Sequence, residues 1–195
     1  MKTDIILAGV GGQGILSIAA AIGLAAVESK LFIKQAEVHG MSQRGGDVQS
    51  NLRISDREIY SDLIPLGQAD MILSIEPLES LRHAPYLSKN GRIITNSTPF
   101  INIPNYPDIE AVLGEIGKNP ANIIIDADTV AKNAGSPRSV NMVMLGAASH
   151  FINIDFEKIK NAVGNLFSAK GDGIAAVNIK ALQAGRDAAE NGAGK

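Results

Sequence analysis

Six residues near the start of the chain have the composition of an anion-binding turn. Gly9, Gly11 and Gly14 fit the pattern G-x-G-x-x-G and directly follow an apolar run. In such a turn the first glycine permits a tight bend, the second lets the backbone approach a ligand, and the third lets helix and strand pack closely. The N–H groups that open the following helix suit a phosphate or carboxylate. Gly12 and Gln13 complete the turn, and Gln13 supplies its only polar side chain.

A second segment, residues 37–46 (EVHGMSQRGG), brings together chemistry that a plain turn does not need. The guanidinium of Arg44 can hold a phosphate or carboxylate through two parallel hydrogen bonds. The two final glycines allow the backbone to approach a ligand closely. We predict that this segment is a loop after the carboxyl end of a strand, beside the glycine turn, where ligands bind in α/β sheets. Its candidate binding residues are Glu37, His39, Gln43, Arg44, Gly45 and Gly46.

These two segments leave other interpretations open. Any short turn between strand and helix favours glycine, and Glu37 and Arg44 can simply pair with each other or with solvent. Glu37 also lies roughly 20 residues after Gly14, which is the position of the ribose-binding acid in a dinucleotide site. A stand-alone NAD(P)-dependent oxidoreductase and a non-catalytic assembly module therefore stay as alternatives.

The composition excludes several classes of function. The chain has 195 residues and no Cys. Its net charge of −2 means that it lacks the excess of basic residues typical of a nucleic-acid binder. Without Cys it can form neither a disulfide nor a thiolate-ligated zinc or iron–sulfur site. The three His residues, His39, His83 and His150, lack the spacing of metal ligands, so we expect no metal site. No apolar run approaches the ~20 residues of a membrane span, and no signal-peptide pattern is present, so we expect a cytoplasmic protein.

Strands and helices alternate along the first two thirds of the chain. Five apolar runs without polar alternation, residues 5–8, 31–33, 71–75, 92–95 and 123–125, are typical of strands buried on both faces. Helical patterns follow at residues 15–28, 77–87 and 108–117. We therefore predict an α/β fold with a Rossmann-like, mostly parallel sheet and helices on both faces.

Two regions depart from that alternation. Residues 48–54 alternate between polar and apolar and precede a polar turn at 55–58, which predicts an antiparallel hairpin with Ile59 and Tyr60 at the margin of the sheet. The final third is helical: Ser139 is placed to cap a helix through residue 151, Asp155 to cap the next, and a last helix is expected from about residue 174 to 189. Residues 1–189 form one predicted domain, and 190–195 a loose tail.

The chain resembles the gamma-type domain of 2-oxoacid:ferredoxin oxidoreductases. The resemblance rests on GVGGQG at residues 9–14 and EVHGMSQRGG at 37–46. A third stretch, NMVMLGA at 141–147, is similar to a helix of that family, and the likeness extends to about residue 185. His39 and Met41 favour the indolepyruvate type over the pyruvate and 2-oxoglutarate types.

The resemblance implies one subunit of a hetero-oligomer that oxidatively decarboxylates a 2-oxoacid to its acyl-CoA. A partner alpha subunit would carry thiamine diphosphate, Mg and 4Fe–4S clusters, with ferredoxin as electron acceptor and coenzyme A as co-substrate. The glycine turn and residues 37–46 would form one face of a site for coenzyme A phosphates or the substrate carboxylate. An isolated chain could form a homodimer, because its partner-facing surface would be exposed. Neither nucleic acid nor a membrane is an expected partner.

Other polar residues are weaker candidates. Asp126 and Asp128 follow a predicted strand and are expected to cap the next helix. His83 is expected on the surface of a helix, and His150 at the end of one with its hydrogen bonds satisfied. Asn141 and Lys170 are the weakest candidates for ligand contact.

Overall fold

The computed structural model describes residues 1–39 and 46–192, and of residue 39 it describes the backbone alone. The strands are β1 Lys2–Val10, β2 Phe32–His39, β3 Asp47–Ser55, β4 Ala69–Ser74, β5 Leu87–Asn96 and β6 Ile123–Ile125. The helices are α1 Ile15–Glu28, α2 Pro77–Arg82, α3 Ile109–Gly117, α4 Ala127–Ala134, α5 Val140–Ala148, α6 Phe156–Ser168 and α7 Asp172–Gly192. Short 3₁₀ turns at Ala84–Tyr86 and Ser149–Phe151 follow α2 and α5.

One sheet holds all six of these strands in the order β2-β3-β1-β4-β5-β6. Strands β1, β4, β5 and β6 are parallel neighbours, while β3 is antiparallel to both β1 and β2. Five strands therefore share one direction, which confirms the predicted mostly parallel α/β sheet. Their carboxyl ends meet at a single edge, called here the carboxyl edge.

The predicted antiparallel strand exists, but its predicted partner was wrong. Residues 59–60 are not a strand, and β3 instead pairs with β2 on one side and β1 on the other. The polar turn ends β3 because the hydroxyl of Ser55 accepts the N–H of Arg57 at 3.0 Å. Alternation of polar and apolar residues indicates a strand, but it does not determine which strands that strand pairs with.

Helices cover both faces of the sheet. Ile5 and Leu7 of β1 face a core built with α1, α4, α5, α6 and α7, whereas Ile6 points to the opposite face. There Ile72 and Ile93 pack with α2 and α3. Adjacent residues of one strand enter different cores, as a strand buried on both faces requires.

The C-terminal helices are as predicted in kind and differ at their ends. Asp155 caps α6 through a 2.8 Å bond from the N–H of Glu157, but Ser139 makes no side-chain bond at the start of α5. Helix α7 continues through Gly192, so residues 190–192 are helical. In the part of the chain described, no helix combines the length and the apolar character needed to cross a bilayer.

Candidate functional site

The glycine turn lies at the carboxyl edge and is fixed by three hydrogen bonds. The N–H of Gln13 donates to the carbonyl of Val10 at 3.1 Å, and the N–H of Gly11 donates to the carbonyl of Gly46 at 2.9 Å. The side-chain Oε1 of Gln13 accepts the N–H of Val10 at 2.8 Å. The Gln13 side chain therefore stabilises the turn itself. From the sequence we expected this side chain to contact a ligand, and this structural role was not predicted.

The conformation of the turn requires glycine at two positions. Gly12 and Gly14 have φ values of 103° and 83°, in the left-handed region that L side chains rarely adopt. No described residue lies within 4 Å of a Cβ added at Gly12, so the described part of the chain leaves this backbone accessible. At Gly14 an added Cβ would lie 2.5 Å from the Nδ2 of Asn141, which itself donates to the Gly14 carbonyl at 3.2 Å. Helix α1 begins directly after Gly14, and its first N–H groups have no carbonyl partners within the helix.

The second predicted segment reaches the same edge. Val10 at the end of β1 is opposite Asp47, and His39 at the end of β2 is opposite Val48. Glu37 was expected in a loop, but it lies within β2 opposite Ser50, because strand pairing continues through residue 39. Of this segment's other candidates, the structure describes the backbone of residues 39 and 46. Gln43, Arg44 and Gly45 lie outside the described residues, so their predicted roles stay predictions.

A cavity of about 370 Å³ opens beside the glycine turn. Its floor includes Gly12 and Gln13, and Arg138 from the loop before α5 contributes the cationic side chain. Asn96 at the end of β5 donates to the carboxylate of Asp128 at 2.8 Å, which gives this cavity a polar wall. Asp126 caps α4 as expected, whereas Asp128 bonds across to β5.

A second cavity, of about 420 Å³, shares Arg138 with the first. Ser17 from the first turn of α1 and Asn141 from α5 line it on the side of the glycine turn. Lys170, between α6 and α7, adds another cation, and Ile174 contributes apolar surface. Two cationic side chains beside hydroxyl and amide groups suit a long anionic ligand with an apolar portion.

Three titratable side chains also meet near the glycine turn: Asp47, Glu79 and His83. Burial raises the pKa of the Glu79 carboxyl to about 7, and the nearby Asp47 carboxylate adds to that rise. Burial likewise lowers the pKa of His83, against the pull of Asp47. The expectation of a surface-exposed His83 was wrong, because its ring packs into the interior after α2, with 5% of the residue exposed. His150 is satisfied as expected, at 3.1 Å from the carbonyl of Arg186.

Sequence reasoning missed Arg138, Asn96 and the cluster around His83. Arg138 stands in the polar run Ser136–Ser139, and that run alone gives no reason to place it beside residues 125 positions earlier. Glu79 and His83 carried a signal, because residues four apart in a helix share one face. Asp47 joins them only through the strand order, which the sequence pattern did not supply.

Comparisons with known proteins show which family the chain belongs to. The model of the family described as pyruvate ferredoxin/flavodoxin oxidoreductase matches residues 4–188. The chain is 35% identical over 201 residues to the indolepyruvate oxidoreductase subunit IorB of Archaeoglobus fulgidus, covering 98% of each chain. It is also 35% identical over 197 residues to the same subunit of Pyrococcus horikoshii, covering 96% of each.

Two solved structures share the fold. The 2-oxoglutarate:ferredoxin oxidoreductase from Magnetococcus marinus, solved with 2-oxoglutarate, coenzyme A and succinyl-CoA bound, superposes with a TM-score of 0.77 at 24% identity. That match covers 97% of this chain and 31% of the other, so this chain corresponds to one part of that protein. The keto/oxoacid ferredoxin oxidoreductase gamma subunit from Geobacter sulfurreducens gives a TM-score of 0.72 at 22% identity, covering 97% and 99%.

Proposed function

The chain belongs to the pyruvate ferredoxin/flavodoxin oxidoreductase family, and we propose that it is one subunit of a 2-oxoacid:ferredoxin oxidoreductase acting on indolepyruvate or another aryl 2-oxoacid. The full-length similarity to two subunits named for indolepyruvate supports this substrate class. The proposed reaction is oxidative decarboxylation of the oxoacid to its acyl-CoA, with ferredoxin as electron acceptor. The proposal places the complex in the cytoplasm and treats residues 1–189 as a single domain of it.

The residues of this chain do not fit the iron–sulfur clusters that the family uses. The full sequence has no Cys, and 4Fe–4S clusters are held by Cys thiolates. The proposal therefore assigns the clusters, together with thiamine diphosphate and its Mg, to a partner alpha subunit. Cofactors of this kind carry the bond-breaking chemistry, while the surrounding protein supplies binding, orientation and electrostatics. We assign binding, orientation and electrostatic stabilisation of the ligand to this chain.

The observation that carries the proposal is the pair of cavities beside the glycine turn that are both lined by Arg138. Arg138 and Lys170 are placed to neutralise phosphate or carboxylate groups, and the open backbone at Gly12 allows a ligand to approach. Coenzyme A combines phosphates with a long, less polar arm, which matches two cavities that share a lining residue better than a small oxoacid does. We propose that the coenzyme A phosphates bind here, with the carboxylate of the oxoacid as the second candidate ligand.

The strand order disfavours a stand-alone NAD(P) enzyme. In a dinucleotide fold the strand that ends in the ribose-binding acid is the direct neighbour of the strand before the glycine turn. Here β3 lies between β1 and β2, which separates Glu37 from the turn by two strand spacings, about 10 Å. A purely structural docking role remains as an alternative, and it predicts that site variants change assembly rather than kinetics.

Kinetics of the assembled complex test the proposal. Arg138→Ala should raise the KM for coenzyme A by about 10- to 100-fold, since a charge-assisted hydrogen bond contributes about 1.5–3 kcal/mol. Arg57→Ala is the matched control, because Arg57 is exposed in the polar turn at the opposite edge. Unchanged KM values for both coenzyme A and the oxoacid in Arg138→Ala would contradict the assigned site. Loss of subunit association with normal kinetics in the remaining complex would favour the docking role.

A further inference from the structure

A buried imidazole nitrogen near the glycine turn lacks a hydrogen bond. The residue is His83, directly after α2, and its Nε2 has no hydrogen-bond partner among the residues that the structure describes. A buried polar atom without a partner costs about 1–3 kcal/mol, so its environment needs an explanation. The Nε2 atom faces Asp47 at the start of β3, so the explanation must lie between those two elements.

The distance between His83 and Asp47 is that of two ligands on one ion. Nε2 of His83 lies 3.5 Å from Oδ1 of Asp47, which is longer than the usual 2.7–3.2 Å of a hydrogen bond. Two ligand atoms at about 2.1 Å from a tetrahedral metal lie about 3.4 Å apart. The Oδ1 atom of Asp47 is itself buried and has no hydrogen-bond donor within the described part of the chain.

Glu79 of α2, four residues before His83, is the third candidate ligand. Ligand atoms of Asp47, Glu79 and His83 all lie within 4.8 Å of one another. Arg82 donates to Oε2 of Glu79 at 2.8 Å, an outer contact of the kind that orients a carboxylate ligand. Two facing carboxylates repel unless a proton or a cation lies between them.

We propose that Asp47, Glu79 and His83 bind one divalent transition-metal ion, of the Zn²⁺ or Mn²⁺ class. An imidazole with two carboxylates suits these ions, whereas Mg²⁺ and Ca²⁺ prefer oxygen ligands alone. The ion would link α2 to the first residue of β3. Because the preceding residue, Gly46, accepts the N–H of Gly11, the metal would also hold the glycine turn in place. This site was not expected from the His spacing in the sequence.

Metal titration of the full chain tests the proposal. Chelator-treated protein is titrated separately with Zn²⁺, Mn²⁺ and Mg²⁺ by calorimetry, with thermal unfolding as the second readout. We expect saturable binding of one Zn²⁺ ion, at least about tenfold tighter than Mg²⁺. Asp47→Asn and His83→Gln should each weaken Zn²⁺ binding by at least about tenfold and remove the rise in Tm.

The control is a second imidazole–carboxylate pair, which has no third candidate ligand beside it among the described residues. His150 lies 3.7 Å from the carboxylate of Glu190, and His150→Gln should leave Zn²⁺ affinity unchanged. If His83→Gln fails to fold, Asp47→Asn still decides, because the Asp47 side chain is 41% exposed and the isosteric change should leave the fold intact. Coupling of Mn²⁺ to an imidazole nitrogen in pulsed EPR of the unmodified chain would support the site. The proposal is overturned if no ion saturates the protein, or if affinity survives in Asp47→Asn; a shared proton would then explain the facing carboxylates.

Discussion

The backbone N–H of Gly11 donates to the carbonyl of Gly46 at 2.9 Å, although 35 positions separate the two residues in the sequence. This bond joins the turn after β1 to the residue that directly precedes β3. It explains how two glycine-rich segments that look independent in the sequence come to share one edge of the sheet. The bond therefore brings residue 46, the last residue of the second segment, directly beside the glycine turn that lines one of the two proposed binding cavities.

Replacing Gly14 by Ala should destabilise the fold. The residue has φ of 83°, and an added Cβ would lie 2.5 Å from Nδ2 of Asn141. We expect the free energy of unfolding to fall by about 2–4 kcal/mol, measured by urea denaturation. Gly114→Ala in α3 is the control, because nothing lies within 4 Å of its added Cβ. That control should be neutral or gain up to about 1 kcal/mol; an equal loss in both variants would contradict the steric explanation.

The cost at Gly14 should depend on Asn141. Asn141→Ala removes the 3.2 Å bond to the Gly14 carbonyl and should cost about 1 kcal/mol alone. In the double variant the steric overlap disappears, so the combined loss should be smaller than the sum by about 1 kcal/mol or more. A double-mutant cycle in urea measures this coupling directly. Strict additivity would show that Asn141 does not press on the turn.

Much of the fold could be predicted from local patterns. Helix α1 spans the predicted residues 15–28, and the five apolar runs all fall within or beside strands. These elements could be predicted because a buried strand needs a short run of apolar residues and a packed helix needs apolar residues at helical spacing, and both patterns are local in the sequence. The partner of β3 and the burial of His83 depend instead on contacts between distant segments, which local rules do not contain.

The candidate site was predicted in part for the same reason. The glycine turn was identified because its conformation needs glycine at fixed positions, which leaves a readable pattern. Arg138 leaves no such pattern, since a single Arg in a polar loop is common on any surface. Arg138 lies at the site because the folded chain places the loop before α5 beside the turn after β1. That placement depends on contacts between distant segments.

The contact between α5 and α7 should not tolerate a methyl group. An added Cβ at Gly185 would overlap the carbonyl oxygen of Val143, and one at Gly146 would overlap that of Leu182. Backbone cannot rotate away as a side chain can, so the two helices would have to separate. Gly185→Ala should lower the free energy of unfolding by more than about 3 kcal/mol. Gly173→Ala in α7 is the control, because open space surrounds this glycine. Its free energy of unfolding should fall by less than about 0.5 kcal/mol in the same measurement.

Gln13 should separate the stability of the turn from its affinity for anions. Gln13→Glu keeps an oxygen that can accept the N–H of Val10, so the free energy of unfolding should change by less than about 1 kcal/mol. The new negative charge lies in the lining of the cavity beside Gly12 and should repel a phosphate. We expect the KM for coenzyme A in the assembled complex to rise at least about tenfold. An unchanged KM with unchanged stability would mean that no anion binds near Gln13.

Hydrogen exchange of the assembled complex, with and without coenzyme A, tests the central claim most directly. If the coenzyme binds at the two cavities lined by Arg138, the backbone amides of residues 11–17 and 136–141 should exchange more slowly in its presence. Amides of α3, on the opposite face of the sheet, should not change. Protection confined to the partner subunit, with no effect on either stretch of this chain, would contradict the account.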